Sequence, residues 1–296
     1  MQDIHALRKQ RFCEIAQLIK PIIGKYDGAF LKLLNYTENE SPSDVDVFIP
    51  SKNVLKMLKD FALRLNAKFI KRRRFLASSI EVVLPKDINE LLHIDLYLEC
   101  VFTPSYRFTS LPSRTYARVS WCREYLEVPA PSRGFQAFFI MWHSLRHQTL
   151  SPKELRTLIA LFESFNSKDL AEFLSHISSS KLEVELGIML YVLLMEAPKI
   201  SYRALNKIVT ATKYLHTCTR NWEILAYALL HYIIAKSKIV NGIRSYNLKL
   251  LNILKILRDI SRVSKAENLY YLMRFLFTLF VREYIILLLL KLGILK

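Results

Sequence analysis

At Pro129-Ala130-Pro131 the hydrophobic pattern of this chain changes period, and that change limits the folds open to it. Upstream, short apolar runs and alternating stretches are interleaved with helical ones. Downstream, apolar residues recur only at helical spacing. The spacing predicts a helix over 4–23, a strand over 29–36, a polar loop over 37–43 and a short strand over 45–49. A helix opened by Ser51 follows to about 66, then strands over 68–74, 79–84 and 92–101. The stretch 106–131, with prolines at 112, 129 and 131, reads as poor in strand. Beyond it only helices are expected, over 133–149, 152–164, 168–178, 181–196, 201–215, 220–238, 245–261 and 265–294. Ser151-Pro152-Lys153-Glu154 and Ser167-Lys168-Asp169 are helix starts. The reading is an α+β chain: an N-terminal mixed sheet with helices over 1–130, then an all-α unit over 131–296.

Composition excludes several functions. Disorder needs low hydrophobicity, and 52% of this chain is apolar. The six glycines (24, 28, 134, 187, 242 and 293) form neither G-x-G-x-x-G nor G-x-x-x-x-G-K-[ST]. No G-x-S-x-G elbow occurs. The four cysteines show no C-x-x-C spacing and read as free thiols of a cytoplasmic protein. The N-terminus has no run of signal-peptide length. Arg274, Arg282, Glu283 and Lys291 interrupt the apolar stretch 270–295, which therefore reads as a buried helix.

Charge is uneven. Residues 1–150 hold 22 basic and 15 acidic side chains, a net +7; residues 201–296 hold 16 and 4, a net +12. A basic region of this kind attracts phosphate-rich polymers such as RNA, or an anionic membrane surface; a basic surface without a specific partner is the other reading. Lys71-Arg72-Arg73-Arg74 is the densest run. It reads either as a clamp for phosphates of a nucleotide or acceptor, or as a charged sheet edge that discourages aggregation. His143 and His147 have metal-ligand spacing on a helix, but Ser144 stands where H-E-x-x-H has glutamate, so His143 is expected to pack against the N-terminal unit.

Acidic residues are the candidates for chemistry. In Ser43-Asp44-Val45-Asp46-Val47, strand alternation puts the carboxylates of Asp44 and Asp46 on one face and the valines on the other. In His93-Ile94-Asp95-Leu96-Tyr97, Asp95 falls on the polar face, and beside the first strand it would add a third carboxylate. Hard divalent cations favour such oxygen ligands. An amphipathic strand showing its acids to water has the same pattern.

Strand, polar loop, D-x-D strand, long helix and a later strand with a third aspartate resemble the nucleotidyltransferases related to DNA polymerase beta. The resemblance covers about residues 20–105. The strand Phe30-Leu-Lys-Leu-Leu-Asn-Tyr36 and the Val128–Pro131 junction into a histidine-bearing helix also look like standalone members of that superfamily. It implies that Asp44, Asp46 and Asp95 hold Mg²⁺ or Mn²⁺, with Asp95 also a candidate base. A nucleoside triphosphate would be the donor and a hydroxyl, of RNA or another molecule, the acceptor. Lys32, Asn35 and Ser43 would lie at the nucleotide. The family's Gly-Ser or Gly-Gly pair corresponds here to the stretch Leu34-Asn35-Tyr36, with neither glycine nor serine, which leaves open a basic RNA-binding or regulatory protein of the same fold.

Overall fold

A computed structural model describes residues 4–65, 68–74, 77–83, 92–103, 105–111, 113–122, 125–196, 200–218, 223–240 and 243–261. The expected helix over 265–294 lies outside them. The architecture is α+β. Helix α1 (Ile4–Lys25) leads into β1 (Ala29–Phe30) and β2 (Asp44–Phe48); a 3-10 turn (Ser51–Asn53) opens α2 (Val54–Leu65). Strands β3 (Lys68–Arg74), β4 (Ala77–Val83) and β5 (His93–Tyr97) complete a five-stranded sheet of order β1-β2-β5-β4-β3. Only β2 and β5 run parallel; the other neighbours are antiparallel.

Each face of this sheet meets a different apolar cluster. Val45 and Val47 of β2 and Ile94 and Leu96 of β5 pack with Phe12, Ile15, Ile19 and Ile23 of α1 and Met57 and Phe61 of α2. Helix α1 continues through Pro21 to Lys25, just past the expected end at 23, and its buried row includes Ile22 and Ile23. That burial outweighs the hydrogen bond a proline forgoes. Phe48 and Tyr97, of opposite parity, turn toward the second cluster.

The second cluster is built from helices α3 (Arg133–Arg146), α4 (Pro152–Ser164), α5 (Ser167–Ser180), α6 (Glu183–Leu194), α7 (Tyr202–Cys218), α8 (Glu223–Ala235) and α9 (Lys249–Ser261). Helix α3 is buried almost all round, and its Trp142 indole donates to the Phe102 carbonyl at 3.0 Å. Phe102 lies in β6 (Cys100–Thr103), which pairs with β7 (Tyr106–Phe108), so this hairpin packs with the helices.

Several expectations are corrected. Residues 106–131 contain β7, β8 (Arg114–Arg118) and β9 (Glu127–Pro131); Pro129 and Pro131 sit inside an antiparallel two-stranded pair, where a missing N–H is tolerated. The C-terminal half is not all-α: β10 (Thr149–Leu150), β12 (Ile243–Asn247) and β11 (Lys238–Val240) form a small sheet in that order. Asn241-Gly242, between the last two in sequence, is a strong hairpin signal. The expected strand over 29–36 is strand only at Ala29–Phe30, because side chains take up the later backbone groups: the Trp121 indole donates to the Leu34 carbonyl, and the Asn35 amide donates to the Thr157 hydroxyl. The cysteines are not all free. Cys13 and Cys122, 109 residues apart in sequence, are joined in a disulfide with Cα atoms 6.0 Å apart, because α1 packs against the Trp121 segment. Cys100 is buried and unbonded. Among the described residues no helix is long and apolar enough to cross a membrane.

Candidate active site

The parallel pairing of β2 with β5 sets Asp44 beside His93 and Asp46 beside Asp95. Paired residues of neighbouring strands share a face, so the register brings the D-x-D segment and the later aspartate together. The backbone locks it: His93 N–H donates to the Ser43 carbonyl at 3.1 Å, and Ile49 N–H to the Tyr97 carbonyl at 2.8 Å. Asp46 and Asp95 are buried, at 7% and 4% exposure. Asp44 is half-buried at the strand's start, where its carboxylate accepts from the Ser43 hydroxyl at 2.9 Å.

Their environments drive the two D-x-D carboxyls apart. Burial, then the negative charge of Asp44, push the Asp46 pKa up to about 7; Asp95 adds to this, and Lys32 and Tyr97 oppose it. Asp46 Oδ1 is buried with no hydrogen-bond partner among the described residues. For Asp44, burial is outweighed by the Lys32 ammonium, the Ser43 hydroxyl and nearby His143 and Lys153, which hold its pKa below the ordinary range.

Helices α3 and α4 close the other side. His143, on the last turn of α3, has Nε2 at 3.5 Å from Lys32 Nζ and Nδ1 at 3.4 Å from Glu154 Oε1. Burial, then the Lys32 charge, lower the His143 pKa to about 4, so the imidazole is neutral near pH 7. Glu154 stands in the first turn of α4, where Ser151 and Glu154 form a capping box. Burial opposes the ionised carboxyl, but His143 and Ser151 hold its pKa at about 2. Lys153, beside it, lies 5.3 Å from the Tyr36 ring centroid. The Tyr36 phenol is held protonated, by burial first and then by Asp44 and Asp46. Its ring meets Trp121 edge-on at 5.3 Å.

Of the residues singled out from sequence, Lys32, Ser43, Asp44, Asp46 and Asp95 gather here. Asn35 faces α4 instead, its amide bonded to Thr157 at 2.7 Å and its carbonyl to Arg156 at 3.4 Å. Lys71, Arg72, Arg73 and Arg74 lie on β3, the far edge strand, with two strands between it and β2. His143 and His147 have ring centroids 4.2 Å apart. Tyr36, Lys153 and Glu154 are additions. Ser151-Pro152-Lys153-Glu154 announces a helix start, and nothing in those letters says that the start abuts the sheet.

Among the described residues no group of three or more His, Cys, Asp and Glu side chains is arranged as a metal cluster. The donors still suit a hard cation: oxygen ligands in adjacent positions, a buried Asp46 oxygen without a hydrogen-bond partner among the described residues, and mutual repulsion that a cation would relieve. Mg²⁺ is typically held by one or two carboxylates and completed by substrate phosphates, which is the arrangement these residues fit. Compared with family models, curated proteins and solved structures, the chain matches none.

Proposed function

We propose that this chain is a metal-dependent nucleotidyltransferase that moves a nucleoside monophosphate from a nucleoside triphosphate to an acceptor hydroxyl. Its sheet, with α1 and α2 on one face and the carboxylates on the other, would be the catalytic unit of a polymerase-beta-like protein, and the basic helices beyond it would carry the acceptor. The observation that carries the reading is the Asp46–Asp95 register, with Asp44 on the same face and Lys32 acting on both D-x-D carboxylates.

Asp44, Asp46 and Asp95 would hold Mg²⁺ or Mn²⁺, which when bound neutralises phosphate charge and lowers the pKa of a coordinated hydroxyl. Asp95 would take the acceptor's proton as the acceptor oxygen bonds to the α-phosphorus. The bond from that phosphorus to the bridging oxygen breaks, and pyrophosphate leaves with the electron pair. Lys32 and Lys153 would neutralise the phosphate chain, a task that backbone amides perform in the family's Gly-Ser element. The test offers α-labelled nucleoside triphosphates with Mg²⁺ or Mn²⁺ to the full chain, with RNA, a protein extract and the chain itself as acceptors. Label transfer by the wild type and none by Asp46→Asn is expected. No transfer by folded wild-type protein with any nucleotide would refute the reading.

One observation favours a second reading. The Asn35 amide already donates to Thr157, and the buried Tyr36 phenol lies near the carboxylates, so this segment is not free to hold a triphosphate as Gly-Ser does. A chain that keeps the fold without the chemistry would be a basic RNA-binding or regulatory module. Its RNA affinity would survive Asp46→Asn and fall steeply with salt.

A further inference from the structure

We infer that Glu154 and His143 are positioning residues that hold the Lys32 ammonium off the carboxylates and in place for the phosphate chain; this rests on the nucleotidyl-transfer reading. The linkage begins at α4. Glu154 Oε2 accepts the Ser151 amide at 2.9 Å and the Ser151 hydroxyl at 2.6 Å, so the helix cap fixes the carboxylate. Glu154 Oε1 then faces His143 Nδ1, and His143 Nε2 faces Lys32 Nζ. A carboxylate only accepts and an ammonium only donates. One tautomer satisfies both ends: proton on Nδ1, lone pair on Nε2 toward lysine.

The arrangement serves two needs. Lysine is a point charge on a flexible four-carbon stem, and two aspartates on β2 attract it. If the ammonium settled on them it would fill the position a divalent cation needs. Anchored to the imidazole, it still acts on both carboxylates through space, while Asp46 Oδ1 keeps no hydrogen-bond partner among the described residues. Side-chain exposures of 14% for His143 and 7% for Glu154 keep water from competing for the linkage.

The experiment uses full-length protein with ¹⁵N-histidine. The tautomer of His143 is read by NMR near pH 7, and tripolyphosphate affinity by calorimetry without metal at physiological salt. In the wild type the proton is expected on Nδ1. Glutamine retains the capping box, so Glu154→Gln should fold. Its amide donates to Nδ1, moves the imidazole proton to Nε2 and turns an N–H toward Lys32. Tripolyphosphate affinity is then expected to fall about tenfold, the scale of one charge-assisted hydrogen bond, and to match the loss in Lys32→Met. A wild-type proton on Nε2 overturns the inference even if Glu154→Gln fails to fold. So does unchanged tripolyphosphate affinity in either Glu154→Gln or Lys32→Met. Absence of label transfer by the wild type, with the tautomer and affinities as expected, would count against the nucleotidyl-transfer reading alone.

Discussion

Asp46 binds a proton more tightly in the folded chain than in the unfolded one, and this has a sign in stability. Its carboxyl titrates at about 7 when folded, against an ordinary value of 3.8. Between these two pH values the folded state keeps a proton that the unfolded state has released. Metal-free stability attributable to this group therefore falls as pH rises from about 4 to 7. Asp46→Asn removes the ionisation and should make the chain more stable than wild type at pH 8, with the difference shrinking toward pH 4. Urea unfolding of both proteins at the two pH values measures it; an equal response to pH would contradict the burial argument. In the proposed site the same group would link cation binding to protons. Mn²⁺ affinity is expected to rise with pH up to about 7, with proton release that calorimetry in buffers of different ionisation enthalpy would detect. Much at this scale was legible in sequence: alternation alone put Asp44 and Asp46 on one face. The linkage of His143 to Glu154 and Lys32 was not, because it joins positions 11 and 111 residues apart, which no local pattern relates.

Among the elements, helices with explicit caps were the easiest to read. Ser151 closes a capping box with Glu154 where the start was expected, whereas α5 is capped by Asn166, one residue before the expected Ser167, in a box with Asp169. Asn166→Ala should cost about 1 kcal/mol, visible as a lower urea midpoint with an unchanged slope. Gly134 carries a constraint the sequence does not display. A Cβ there would lie 2.4 Å from the Asp169 carbonyl oxygen and 3.0 Å from the Phe173 amide, so α3 and α5 approach backbone to backbone. Gly134→Ala is expected to force them apart at a cost of roughly 1–3 kcal/mol; unchanged stability would mean that the helices slide freely. The short strands β7 to β12 escaped the period-based reading for a physical reason. Pairings of two to five residues carry little alternation, and Thr149–Leu150 finds its partners only in the distant Tyr246 and Asn247. β1 was over-extended because residues 31–36 look extended and apolar, whereas their backbone is held by Trp121 and Thr157.

The whole molecule places two apolar clusters on the two faces of one sheet, with the acidic strand starts facing α3 and α4. The disulfide from α1 to the Trp121 segment spans a loop of 109 residues, and constraining so long a loop stabilises by about 2–5 kcal/mol. Cys122→Ser should lose that amount, measured by urea unfolding under non-reducing conditions. It should also loosen Trp121, which packs against Phe12 and Tyr36. Cysteine spacing could not reveal this bond, since packing brings the pair together. The central claim is that the three aspartates form a cation site completed by the substrate's phosphates. Its most direct measurement is a Mn²⁺ titration followed by electron paramagnetic resonance, near pH 7, with and without a non-hydrolysable nucleoside triphosphate. Wild type should bind Mn²⁺ weakly alone and much more tightly with the nucleotide, and Asp46→Asn should lose that gain. Equal Mn²⁺ binding by the two proteins in the presence of nucleotide would contradict the claim.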